Sequence, residues 1–325
     1  MRILICIHSS VAAWTIPRTA VDRLRAEFPS HTFLHATDDD TGLEMIRDAE
    51  VAFMGQISPA QLAAAASLRW IHSPAAGIGG MLFPAMLASP VVITNSRGMS
   101  ADTIAEHVLA VTLALFRQLP RAWQGQTSRR WTQDAIGARG NRTIAGSRVL
   151  VIGLGSIGRA TADRFDRLGA VVTGIRRSAG TPPPGVAEVH APAALHDLLP
   201  EADVVVVSAP HTAETRRMIG QRELAAMRRD AILVNVSRGQ LVDEAALAEA
   251  LAGGVIGGAA LDVFEREPLP PDSPLWSSPD ILITPHTAGF RRDHWDATVA
   301  LFADNLRRYE RGEPLRNLVD KDAGY

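Results

Sequence analysis

The feature that most constrains this chain is the stretch from Val151 to Gly158, VIGLGSIG. Gly153, Gly155 and Gly158 stand there directly after the apolar run RVLVI and directly before a helical pattern. A strand that turns sharply into a helix needs one glycine for the turn. A second lets the backbone approach a ligand, and a third lets helix and strand pack closely. The N-terminus of the following helix offers unpaired amides and the positive end of its dipole, the environment a pyrophosphate prefers. Glycines in this register and in this strand-to-helix context therefore point to a dinucleotide. Ser156 and Ile157, which open the helix, belong to the same candidate site. The other glycine cluster, AAGIGG at 75 to 80, has no following lysine and fails this register, although its backbone amides suit an anion.

Alternation on both sides of the fingerprint extends the argument to the whole chain. Short apolar runs at 2 to 7, 31 to 36, 51 to 55, 68 to 73 and 91 to 95 are separated by helical patterns, one of them opened by Ser58 as N-cap and Pro59 in the first turn. From Ser147 a second series begins: RVLVIG, a helix over 156 to 168, AVVTGI, a helix near 193 to 199, ADVVVVSAP, a helix over 221 to 228, AILVNVS, a helix over 243 to 252, VIGGAAL and ILITPH. Uninterrupted valine and isoleucine runs are expected where both faces of a parallel sheet are covered. The 325 residues exceed what one hydrophobic core usually fills. The expectation is an α/β protein with two Rossmann-like domains, each built on a parallel sheet. After His286, the residues Trp295, Val299, Phe302, Leu306 and Tyr309 recur on one helical stripe, predicted to return to the first domain. The expected division is thus 1–97 plus 290–325, a discontinuous flavodoxin-like substrate domain, and 98–289, the dinucleotide-binding domain.

Between the two series, residues 101 to 119 read as one helix that is apolar nearly all round, hence buried on several sides. Residues 120 to 145 read as a polar, arginine-rich, irregular arm containing Trp123 and Trp131, expected to lie on a second subunit of a homodimer. Composition excludes several classes. A formal charge of -2 without a basic block argues against a nucleic-acid partner. Cys6 is the one cysteine, so an internal disulfide is impossible and a reducing compartment is expected. The N-terminal apolar run is too short for a signal peptide and no run has bilayer length, so a cytoplasmic protein without membrane contact is the expectation.

An acid commonly follows the fingerprint by about 20 residues and binds the adenosine ribose of NAD. Here that tip carries Arg176, Arg177 and Ser178. Two arginines and a hydroxyl suit a 2'-phosphate, so NADP(H) is the expected cofactor and NAD(H) the alternative if the arginines only solvate a turn.

Two further residues sit where open α/β sheets bind ligands. Arg238 follows the strand AILVNVS and His286 follows ILIT, so both project at carboxyl ends of strands. Arg238 can hold a carboxylate or carbonyl oxygen through its fork of donors, and protonated His286 can donate to a forming alkoxide. A carboxylate beside the imidazole would orient it and favour its charged form. Spacing alone leaves that role open among Asp262, Glu265 and Glu267. His211 also follows a buried strand and rivals His286, reading best as a residue lining the cofactor cleft. His8, His35, His72, His107 and His196 read as packed or solvated, and their scatter shows no metal-ligand spacing. No G-x-S-x-G elbow occurs.

Over essentially its whole length the chain resembles the D-isomer-specific 2-hydroxyacid dehydrogenases. The resemblance rests on ADTIAEHVLAVTLALFR, VIGLGSIGRA, SAPHTAETR, LVNVSRGQLVDEAAL, GAALDVFEREPLP and ILITPHTAG, in the family's order. The tip arginines are most similar to its NADP-dependent glyoxylate and hydroxypyruvate reductase branch. The resemblance implies a catalytic set of Arg238, Glu267 and His286, with the amides of Ala76 and Gly77 on the substrate carboxylate and Asp262 facing the nicotinamide carboxamide. Ala209, Pro210, Thr215, Val236 and Ser237 join the implied cofactor contacts. Gly79 departs from relatives that carry an acid in this loop. A formate- or phosphonate-type dehydrogenase and a non-catalytic, corepressor-like dinucleotide binder are the alternatives.

Overall fold

Residues 1–178, 180–278 and 280–324 are described by a computed structural model. They form two compact units, Met1–Met99 joined by the segment from Arg291 onward, and Ser100–Phe290. The first unit holds a five-stranded sheet: β1 (Arg2–Cys6), β2 (Thr32–Ala36), β3 (Val51–Met54), β4 (Trp70–Ser73) and β5 (Val92–Asn95). Their order is β2-β1-β3-β4-β5 and every pairing is parallel, the flavodoxin-like arrangement. All four side chains of β3 and of β4 are buried, as their apolar runs require when both faces are covered. Helix Pro59–Ala64 begins where its sequence predicts: Ser58 Oγ accepts from the Gln61 amide at 3.2 Å and Gln61 Oε1 accepts from the Ser58 amide at 2.8 Å.

Helix His294–Glu310 belongs to this unit, and its apolar stripe packs on the sheet. Phe302 stacks on Phe53 with centroids 4.5 Å apart and on Trp70 at 5.5 Å, and Tyr309 also stacks on Trp70 at 5.5 Å. Beneath lies a buried polar chain. Trp70 Nε1 donates to Thr94 Oγ1 at 2.8 Å, and that hydroxyl is 2.7 Å from His72 Nδ1. An indole nitrogen can only donate, so the Thr94 oxygen accepts from Trp70 and keeps one further hydrogen bond for His72. Burial pushes His72 down to about 3, so the ring is held neutral.

The second unit holds seven strands: β6 (Arg148–Ile152), β7 (Val171–Ile175), β8 (Glu188–His190), β9 (Val204–Val207), β10 (Ile232–Asn235), β11 (Gly258–Leu261) and β12 (Ile281–Ile283). All pair in parallel, in the order β12-β11-β10-β9-β6-β7-β8. Strand order reverses between β6 and β9, which is where such sheets open a ligand crevice. Helices Ala101–Phe116 and Ser156–Arg167 pack against each other on this unit.

Several local expectations change. The helix expected over 101 to 119 ends at Phe116, because Gln118 takes a left-handed backbone (φ 53°) and Pro120 starts a new helix, Leu119–Thr127. The arm expected to be irregular also carries helix Gln133–Arg139. Gln118 ties these pieces together by donating to the carbonyls of Ile136 (3.0 Å) and Gly140 (2.7 Å), contacts a polar pattern does not announce. Strand β8 was not expected, because its EVH is short and holds a single apolar residue. Near 193 to 199, Pro192 and Pro200 break the expected helix into two 3-10 turns flanking Leu195–Leu198.

The buried neutral ring of His72 makes stability depend on pH with a definite sign. Its folded value lies below the ordinary 6.5, so the unfolded chain binds the proton more tightly. The contribution is complete above that ordinary value and is lost as pH falls toward 3, by up to about 1.4 kcal/mol per pH unit. The first thermal transition is expected to drop between pH 7 and 5 in the wild type and to flatten in His72→Asn, which keeps an acceptor for Thr94 but does not titrate. Equal slopes in both proteins would contradict this account.

Candidate active site

The glycine turn lies at the carboxyl end of β6. Gly153 has φ +97°, and a Cβ there would fall 2.5 Å from the Ala209 amide nitrogen, so only glycine lets the turn pass under the end of β9. A Cβ on Gly158 would fall 1.9 Å from the Gly153 carbonyl oxygen, which already accepts from Ser208 Oγ at 2.7 Å. Gly155, by contrast, caps helix Ser156–Arg167 and faces open space, with nothing within 4 Å of the position a Cβ would take. Two glycines are thus required by packing, and the third leaves room at a helix N-terminus. The first-turn amides of Ser156, Ile157 and Gly158 have no partner within their helix, so the turn fits a dinucleotide pyrophosphate.

Other predicted residues gather on the same sheet edge. Arg176, Arg177 and Ser178 follow β7. Arg176 Nη2 donates to the Thr181 carbonyl at 3.3 Å, while its buried Nε has no partner among the described residues. Ala209 and Pro210 follow β9, and Thr215 Oγ1 donates to the Pro210 carbonyl at 2.7 Å. Val236 and Ser237 follow β10, where Ser237 Oγ donates to the Ala209 carbonyl. Ala76 and Gly77 lie in the first unit after β4, exposed, with the Ala76 carbonyl held by Asn95 Nδ2 at 2.7 Å. Their amides make no hydrogen bond among the described residues, leaving two donors for an anion.

Arg238, Glu267 and His286 come from the loops after β10, β11 and β12. His286 Nδ1 and Glu267 Oε2 are 2.7 Å apart. Glu267 Oε1 accepts from the Phe264 amide at 3.0 Å. Burial pushes the Glu267 carboxyl upward, but the hydrogen bonds from His286 and Phe264, aided by the charges of His286 and Arg238, bring it below its ordinary value. Burial lowers Arg238 from the usual guanidinium value, and the Glu267 carboxylate opposes that shift. The three groups therefore share one field. Arg238 Nη1 donates to the Ser237 carbonyl at 2.6 Å, and buried Asn235 ties the turn by donating to the Arg238 carbonyl at 3.0 Å and accepting from the Ser237 amide at 3.1 Å.

Sequence reasoning gave Gly239 no role, yet it decides whether these loops meet. A Cβ there would lie 1.8 Å from the Phe264 carbonyl carbon, so the backbone beside Arg238 touches the backbone that leads into Glu267. The signal was a glycine directly after the arginine. Glu244 was missed as well. Its Oε1 accepts from the Glu265 amide, and burial together with the charges of Glu265 and Glu267 raises its carboxyl.

His286 itself has φ +54°, a left-handed backbone that costs a non-glycine residue of order 1–3 kcal/mol unless its surroundings hold it. Asp262 does the holding. Its carbonyl accepts the His286 amide at 2.9 Å, its Oδ1 accepts the Thr287 amide at 2.9 Å and its Oδ2 accepts the Ala288 amide at 3.0 Å. Expected to face a carboxamide, the carboxylate is 3% exposed and engaged on both oxygens within its own unit. His211 is exposed beyond β9, and no resolved contact brings it to Glu267.

The model for the D-isomer specific 2-hydroxyacid dehydrogenase NAD binding domain matches residues 109–288. The chain belongs to this family. It is an NAD(P)-dependent 2-hydroxyacid dehydrogenase by family. A glyoxylate reductase from Korarchaeum cryptofilum is 34% identical over 267 residues, 80% of this chain and 78% of that protein. Among solved structures, a family member from Xanthobacter autotrophicus Py2 in complex with NADPH and MES is 32% identical with a TM-score of 0.83, covering 100% of this chain and 99% of that one. An NADPH-dependent glyoxylate/hydroxypyruvate reductase from Sinorhizobium meliloti in complex with NADP and sulfate is 26% identical with a TM-score of 0.85, again over 100% and 99%.

For this dehydrogenase, Gly239→Ala is the smallest change that should dismantle the site. One added methyl group forces the Glu267 loop away from Arg238, and a misplacement of about 1 Å costs on the order of a hundredfold. A kcat/KM reduced by at least that factor, in a protein whose circular dichroism is unchanged, is the expected result. Retention of more than half the activity would show that the close approach is not required.

Proposed function

We propose that the protein reduces a small 2-oxo acid of the glyoxylate or hydroxypyruvate type to its 2-hydroxy acid with NADPH. The observation that carries the reading is the 2.7 Å His286–Glu267 pair lying within the field of Arg238. The cofactor, when bound, supplies the hydride. Arg238 holds the substrate through its fork of donors, on carboxylate or carbonyl oxygen. Protonated His286 gives its proton to the oxygen of the reduced carbonyl, and Glu267 keeps the ring oriented from Nδ1, leaving Nε2 to face the substrate. In the first unit, the amides of Ala76 and Gly77, without partners among the described residues, suit a carboxylate.

NADPH is preferred in this reading because the β7 tip presents Arg176, Arg177 and Ser178 and no acid. The Nε of Arg176, without a partner among the described residues, supports it, as do the NADP(H) complexes of the Xanthobacter and Sinorhizobium proteins. Charged hydrogen bonds contribute about 1.5–3 kcal/mol, a preference of roughly tenfold to hundredfold. A panel of 2-oxo acids assayed with both cofactors at the reduced-nicotinamide absorbance should show that ratio in kcat/KM, and Arg176→Ala with Arg177→Ala should bring it toward parity. A preference for NADH would refute the cofactor assignment. In the same assay, His286→Ala should lower kcat/KM by about 10²–10⁴.

The working form in this reading is a homodimer. Leu113 (37% exposed), Leu119, Trp123 and Trp131 (90%) are exposed apolar side chains on and after helix Ala101–Phe116, and a second copy would cover them. Light scattering at micromolar concentration should give twice the mass of 34.9 kDa. A stable monomer would count against it. No described helix is long and apolar enough to cross a membrane.

A further inference from the structure

His107 lies in the middle of helix Ala101–Phe116, far in sequence from every residue given a chemical role above. Its Nε2 is 3.2 Å from Thr284 Oγ1, and the same hydroxyl is 2.6 Å from Asp262 Oδ1. The direction of both bonds follows from the groups involved. An ionised carboxylate only accepts, so the Thr284 proton goes to Asp262. The Thr284 oxygen is then free to accept, and His107 must carry its proton on Nε2. Burial holds the His107 imidazole below its ordinary range, against the pull of the Asp262 charge, which suits a neutral ring with one N–H.

The chain of donors ends on the turn that presents His286. Besides Thr284, the Asp262 carboxylate accepts the amides of Thr287 and Ala288, and the Asp262 carbonyl accepts the amide of His286. Residues 286 to 288 are thus fastened to one aspartate, and that aspartate is oriented by a hydroxyl whose own orientation is set by a histidine on a different element. The left-handed backbone of His286 does not persist without such support. A donor at position 107 would also be unnecessary for packing alone, since Ala105, Val108 and Val111 already bury the helix around it.

We propose that His107 is a positioning residue: through Thr284 and Asp262 it fixes the turn on which His286 stands, and so the aim of the His286 ring. The inference rests on the reading of His286 as proton donor. It concerns placement and assigns His107 no contact with substrate or cofactor.

The test compares His107→Leu, which removes the donor, with His107→Gln, whose amide nitrogen reaches the place of Nε2, and with Thr284→Val, which removes the relay hydroxyl at nearly constant volume. A neutral hydrogen bond is worth about threefold to tenfold. His107→Leu and Thr284→Val should each lower kcat by roughly that factor, with KM for the 2-oxo acid within about twofold, and His107→Gln should restore most of kcat. Because both residues act on one path, the double variant should lose no more than Thr284→Val alone. The ring resonances of His286, followed by NMR in the free protein, should move in His107→Leu and return in His107→Gln. If His107→Leu does not fold, Thr284→Val against His107→Gln carries the same comparison. Unmoved His286 resonances, multiplicative losses, or wild-type kcat in His107→Leu would overturn the proposal. Wild-type kcat in His286→Ala with shifted ring resonances in His107→Leu would instead overturn the proton-donor reading and leave the positioning intact.

Discussion

Seven strands running the same way are the constraint on which the site depends. In a parallel sheet every carboxyl end emerges on one edge, so the loops after β6, β7, β9, β10, β11 and β12 are neighbours although they are spread over more than a hundred residues of sequence. The glycine turn, the tip arginines, Arg238, Glu267 and His286 all stand on such loops. Parallel pairing in turn requires that both faces be covered, which is why β9 is four buried valines and β6 is closed on four of its five positions. Adjacency on the edge comes from topology, and the finer aim comes from contacts between loops.

Those contacts are electrostatic and backbone-mediated rather than hydrophobic. Glu267 bonds His286 on one oxygen and its own loop on the other. Asp262, buried, spends both oxygens and its carbonyl on the turn that follows β12. Leaving such a carboxylate without partners in a low dielectric is costly, so each satisfied bond also removes an alternative conformation of the turn. Gly239 adds a steric counterpart by letting one backbone lie directly on another.

Much of this was legible in the residues. The strand–glycine–helix register placed the turn correctly because Gly153 and Gly158 answer geometric demands of the turn, seen in their close approaches to Ala209 and to each other. Ser58 and Pro59 announced their helix for the same local reason. The arm at 120 to 145 misled, since polar residues there suggested irregular chain while the helices are held by Gln118 reaching two carbonyls about twenty positions away. Strand β8 was hidden because a single valine between two polar residues at a sheet edge carries no hydrophobic period.

His107 shows the limit most clearly. Taken from the sequence it was one of several histidines expected to be packed or solvated, and its partner Thr284 lies 177 positions away. By itself the sequence determined the α/β class, the glycine turn and the candidate chemistry of Arg238 and His286, because periodicity and residue type are local properties. Only the tertiary structure decided which carboxylate meets His286, which backbones touch at Gly239, and that a helix histidine reaches the turn after β12. Hydrogen bonds and close approaches between distant segments depend on distances of a few tenths of an ångström, and no spacing along the chain encodes those.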